Sequence, residues 1–183
     1  MPAHSGVEAG GKAVKKMKRG LSFIQWLMVA AILVILAAIV LPRFRDRTGE
    51  AKKESAAKAN LHILRGAIEL YALEHGGVAP GYPKGNRSLP PTAWTFYDQL
   101  TKASNSGGAV AEPGTAGYDL GPYIETLPEN PFNEVRIPNI IFDSQAMPQE
   151  ATGLYGWIYK PATKTIMLDW PGTDKTGRRY YDY

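Results

Sequence analysis

Residues 21–41 read LSFIQWLMVAAILVILAAIVL, and this stretch decides what kind of molecule the chain is. It carries no charge across 21 residues, and only Ser22 and Gln25 are polar. At about 1.5 Å of rise per residue a helix of this length reaches roughly 30 Å, the thickness of a bilayer's hydrocarbon layer. A cleaved secretory signal has an apolar region of roughly 7–15 residues, so this run is too long for one. It is apolar on every side, which suits lipid or the core of a helical assembly. The bland alternative is a buried helix of a soluble domain.

Charge is arranged around this run. The formal charge of +4 comes entirely from residues 1–20, where Lys12, Lys15, Lys16, Lys18 and Arg19 are opposed only by Glu8. The remaining 163 residues hold 16 basic and 16 acidic side chains. A basic balance ordinarily suggests nucleic acid or an acidic surface as partner. Here it describes a leader. Beyond the run stand Arg43, Arg45, Arg47, Lys52 and Lys53, with Asp46 and Glu50 among them, so the positive-inside comparison is a tie. Orientation does not follow from charge alone. The chain has no cysteine, which excludes a disulfide framework, a thiolate metal site, a cysteine nucleophile and a lipoprotein anchor.

The junction reads Lys18-Arg19-Gly20 followed by Leu21-Ser22-Phe23-Ile24-Gln25-Trp26-Leu27. It resembles the processing site of type IV prepilins and type II secretion pseudopilins, nearest the major pseudopilin G group. The resemblance implies a prepilin peptidase that cuts between Gly20 and Leu21 on the cytoplasmic face, and N-methylation of the new amino terminus. A small residue at the cut is sensible, because a side chain would obstruct an extended chain in a protease groove. The rival reading is an uncleaved signal anchor with a chance glycine.

One position departs from the family's pattern. The fifth residue after the cut is usually glutamate, and here it is Gln25. The family's carboxylate is thought to meet the charged amino terminus of a neighbouring subunit in the apolar filament core. At 4 Å and an effective dielectric near 20, such a pair is worth about 4 kcal/mol before desolvation. Gln25 keeps an acceptor but not the charge, and costs less to leave in lipid. A subunit of lower stoichiometry, or one at a filament tip, tolerates this change best. Pro42 follows the run where pilin-like helices bend or loosen, and it is the second residue assigned to assembly. A plain helix stop at the membrane surface is the alternative.

Beyond Pro42 the sequence predicts an amphipathic helix. Leu61, Leu64, Ile68 and Tyr71 recur at spacings of three and four, with Ala57, Ala67 and Ala72 beside them. Glu54 and Lys58 form an i,i+4 pair in the favourable order. Gly76-Gly77 ends the helix and Pro80 forbids its return. The stretch AKANLHILRGAIELYALEHGG resembles the matching helix of secretion pseudopilins. Residues 77–91 form a Gly/Pro loop, and Thr92 caps a short helix over 93–103 with Ala93, Tyr97 and Leu100 on one side. Residues 104–117 are a second loop. Gly121-Pro122-Tyr123-Ile124-Glu125-Thr126-Leu127-Pro128-Glu129-Asn130-Pro131-Phe132 resembles a GPY-x-x-x-LP-x-(D/N)-P-aromatic stretch of the same pseudopilins, and implies rigid turns feeding a strand. Strands follow over 135–142, interrupted by Pro138 and so at an edge, then 154–159, 165–170 and a last one over 180–183.

No catalytic constellation is present. His4, His62 and His75 are scattered, and the hydrolase, zinc-protease and phosphate-loop motifs are missing. His62 and His75 are expected on the solvent side of the helix. Major pseudopilins often bind calcium near the C-terminus, which makes Asp169 and Asp174 candidate ligands, with Asp182 nearby. Their spacing lacks the regularity of a calcium loop, so solvated turn residues are the preferred reading and no cofactor is assigned. Arg178-Arg179-Tyr180-Tyr181 mixes charge with aromatics as single-strand nucleic-acid sites do, but the neutral mature chain argues against that partner. Asn86-Arg87-Ser88 matches a glycosylation sequon, a three-residue pattern common by chance.

The sequence thus implies an α+β chain: a prepilin leader (1–20), a transmembrane or filament-core helix (21–41), an amphipathic helix (42–76), and a periplasmic globular domain (77–183) whose small antiparallel sheet packs on the long helix. By resemblance it is a pseudopilin-like structural subunit and not an enzyme. Its partners are then copies of itself, other pseudopilins, the inner-membrane assembly platform and prepilin peptidase. Two alternatives stand beside it: a type IV pilin or minor pilin, and a single-pass anchored binding module that never polymerises.

Overall fold

The computed structural model describes residues 23–183, with side chains left out over 36–48. The leader and the Gly20–Leu21 junction therefore lie outside the described residues. The chain divides into two units, Met1–Asp46 and Arg47–Tyr183. The class is α+β, with a long N-terminal helix and small sheets.

Helix α1 runs over Phe23–Glu74, 52 residues that include Pro42, so the alternative of a helix stop at that proline does not hold. Its end follows from glycine. Gly76 and Gly77 take positive φ of 62° and 86°, and Gly77 N–H donates to the Ala72 carbonyl at 2.7 Å. Only glycine enters that conformation without a Cβ penalty, so the helix closes there.

In the second unit α1 buries one face. Ala57, Leu61, Leu64, Ala67, Ile68 and Tyr71 enter a core with Phe96, Leu100, Leu127, Trp157, Tyr159, Ile166 and Leu168. The predicted stripe is the observed one. Residues of the GPY stretch line the same core: Leu127 is fully buried, and Trp157 Nε1–H donates to the Pro128 carbonyl at 3.1 Å. Helix α2 spans Ala93–Thr101, and Thr92 caps it by accepting from Thr95 N–H at 3.1 Å. Its buried face is Phe96, Gln99 and Leu100: Leu100 was expected there, Tyr97 packs only partly against the core, and Gln99 is drawn in by its bonds to Gly81, Tyr82 and Gly108.

Strands β1 (Ala103–Ser104) and β2 (Val110–Ala111) pair antiparallel across the predicted second loop, with Ala103 in β1 and not in the helix expected over 93–103. The other sheet has the order β3 (Pro138–Ile140), β4 (Trp157–Lys160), β5 (Thr165–Leu168). The pairing of β4 with β5 is antiparallel, as expected, with Trp157 opposite Leu168. β3 lies at the edge, also as expected, but runs parallel to β4. The long connection over 141–156 provides the crossover that a parallel pair needs.

Each strand is shorter than its apolar pattern suggested. The expected strand over 154–159 begins only at Trp157, because the N–H groups of Gly153 and Tyr155 point at the Asp169 carboxylate and not along a ladder. Residues 180–183 are not a strand. Tyr180–Asp182 forms a 3-10 turn, stapled by Arg179 to Asp182 at 2.8 Å, and the rings of Tyr180 and Tyr183 enter the main core. Glu54 and Lys58 are engaged with this turn: Tyr180 Oη–H donates to Glu54 at 3.2 Å, and Lys58 Nζ sits 4.2 Å over the Tyr183 ring.

Candidate functional site

The first turns of α1 hold the residues on which the functional expectation rests. Residues 23–35 are all exposed. Ten of them are large and apolar, from Val29 at 44% to Phe23 at 84% exposure. Each such side chain gains about 1.5–3 kcal/mol on full burial, so this surface is far from its preferred surroundings in water. Gln25 lies on this exposed stretch. Among the described residues, no helix is long and apolar enough to cross a membrane; the 21–41 run is only partly described. Gly20 and Leu21 lie outside the described residues, and Pro42 is within α1 with its side chain left out.

The second candidate set is acidic. Asp169, at the end of β5, is fully buried. Its Oδ1 accepts from Thr152 N–H at 2.6 Å and Gly153 N–H at 3.1 Å. Its Oδ2 accepts from the Thr152 hydroxyl at 2.8 Å and Tyr155 N–H at 2.9 Å. Asp174 sits at a separate turn, where Oδ1 accepts from Thr176 N–H at 2.8 Å, the Thr176 hydroxyl at 2.6 Å and Arg178 N–H at 3.1 Å. Its Oδ2 accepts from Tyr183 Oη–H at 3.0 Å. The Thr176 hydroxyl above all, with these other donors, holds the Asp174 carboxyl down at about 2. Asp182 is paired with Arg179, whose side chain keeps that carboxyl below its ordinary value. The three aspartates thus serve three different loops.

The histidines divide. His62 is exposed, as expected. His75 is not on the solvent side: it is 5% exposed and its ring stacks on Tyr71 at 3.7 Å. Its Nδ1 lies 2.7 Å from the Tyr71 carbonyl, which can only accept, so Nδ1–H donates there. Nε2 lies 3.1 Å from the Ser104 hydroxyl. The ring ties the end of α1 to β1. The periodicity from Leu61 through Ile68 and Tyr71 continues to His75 at i+4, so the signal was present, and its polar identity masked it.

The α+β class, with one face of α1 buried in the core from Ala57 onward, is consistent with a pilin-like fold. The chain is 27% identical to the type II secretion system core protein G of Klebsiella pneumoniae over 115 residues, which cover 63% of this chain and 69% of that protein. The likeness agrees with the pseudopilin resemblance of the sequence. No family model and no solved structure matches.

Proposed function

We propose that the chain is a pseudopilin-like subunit of a type II secretion filament, working by assembly and not by catalysis. Prepilin peptidase removes residues 1–20, leaving Leu21 as the amino terminus. The run 21–41 holds the subunit in the inner membrane, and the domain over 77–183 lies in the periplasm. Extraction into a helical filament then replaces lipid around 21–41 with the helices of other subunits. Other pseudopilins and the inner-membrane assembly platform are the partners in that step. Pro42 contributes no ladder hydrogen bond, which eases adjustment of α1 between its apolar and amphipathic halves. Gln25 offers an uncharged acceptor at the position where the family places a carboxylate.

The observation that carries this reading is the change of character along α1. Ten large apolar side chains are exposed over 23–35, whereas from Ala57 onward one face is buried in the domain's own core. An exposed apolar stretch of this kind needs lipid or other helices. A photoreactive benzoylphenylalanine in place of Leu27 tests it. In cells with the peptidase and the platform, irradiation should link chain to chain. Adducts with lipid alone, under conditions where secretion proceeds, would count against assembly through this helix.

A further inference from the structure

The resemblance brings calcium to the neighbourhood of Asp169 and Asp174, and the groups gathered there do not suit a cation. Calcium takes about 6–8 oxygen ligands. An ionised carboxylate has about four lone-pair sites, and at Asp169 four donors occupy them: Thr152 N–H, the Thr152 hydroxyl, Gly153 N–H and Tyr155 N–H. Three of these are backbone N–H groups, which repel a cation and attract an anion. The carbonyls on the other side of the same loop are also occupied. Asn133 Nδ2 donates to the Gly153 carbonyl at 2.9 Å and to the Tyr155 carbonyl at 2.8 Å. Asp174 is likewise saturated, by Thr176, Arg178 and Tyr183. Among the described residues, no three His, Cys, Asp or Glu side chains stand together as a metal group.

We infer that the buried carboxylate of Asp169 is itself the ordering centre of the loop over 152–155, and that this domain keeps its fold and loop order without calcium. The loop closes around an anion supplied by the chain. Asp169 gathers its N–H groups, Asn133 gathers its carbonyls, and Leu154 is left 74% exposed at the tip of a fixed backbone. Asp169 is held in turn through its own backbone, since its N–H donates to the Gly156 carbonyl at 3.2 Å and its carbonyl accepts from Asn130 Nδ2 at 3.3 Å. The inference rests on the pseudopilin reading only for the ion it names. Its readout is domain stability, so its failure would leave leader processing and assembly untouched.

The test is thermal unfolding of the full chain in detergent, with added calcium chloride and with a calcium chelator. The two melting temperatures should coincide, because an ion that does not bind the native state cannot raise its stability. A higher melting temperature in calcium would overturn the inference. Asp169→Asn should melt lower by the same amount in both conditions, and proteolysis should cut it faster within 152–155. Should that variant fail to fold, Thr152→Val removes one donor and leaves the carboxylate in place. Its smaller loss should again be equal with and without calcium, and a loss seen only in calcium would overturn the inference.

Discussion

Asn130 is a joint between three segments. Its side chain is fully buried: Nδ2 donates to the Gly156 carbonyl at 3.1 Å and the Asp169 carbonyl at 3.3 Å, while Oδ1 accepts from Phe132 N–H at 3.0 Å. Gln99 does similar work elsewhere, accepting from Gly81 N–H at 2.7 Å and donating to the Tyr82 and Gly108 carbonyls. A buried group left without its partner costs about 1–3 kcal/mol. Asn130→Ala should therefore lower unfolding stability by about 2–3 kcal/mol, read as a lower midpoint in urea with an unchanged slope. An unchanged midpoint would mean that the joint carries no stability. At this scale the sequence was half legible. Asn130 stood inside the GPY stretch and was expected at a rigid turn, but neither Gln99 nor the burial of Asp169 and His75 was foreseen. A polar side chain becomes interior only when several distant segments bring it partners, and spacing along the chain does not record those partners.

The elements follow the same logic. The buried face of α1 was readable because a helix repeats every 3.6 residues, and Leu61, Leu64, Ile68 and Tyr71 keep that period without outside help. The short strands were less readable, since apolar runs around β4 and β5 gave no sign that Asp169 would draw off the N–H groups before Trp157. The aromatic run over 180–183 looked like a strand and became a turn, because its rings are worth more in the core beside α1 than on a ladder. Within α1, Gly66 is exposed, and a Cβ added there would meet nothing within 4 Å. Glycine inside a helix costs roughly 0.5–1 kcal/mol relative to alanine. Gly66→Ala should stabilise the subunit by about that amount, seen as a raised melting temperature. A fall would mean that the helix backbone there is not free to take a side chain.

For the whole molecule, fold class was legible in the sequence. The long N-terminal helix, the α+β class and the edge position of β3 all follow from hydrophobic period, caps and proline. The parallel pairing of β3 depends on a crossover whose path no local pattern encodes. The two halves of α1 give the functional reading its physical content, one needing an apolar environment and the other satisfied by its own domain. In the proposed function, the cut at Gly20–Leu21 is the step that turns an anchored chain into a filament subunit. Mass spectrometry of the chain from cells with and without prepilin peptidase measures that step directly. The account predicts an amino terminus at Leu21 only where the peptidase is present, and an identical, uncut leader in both would contradict it.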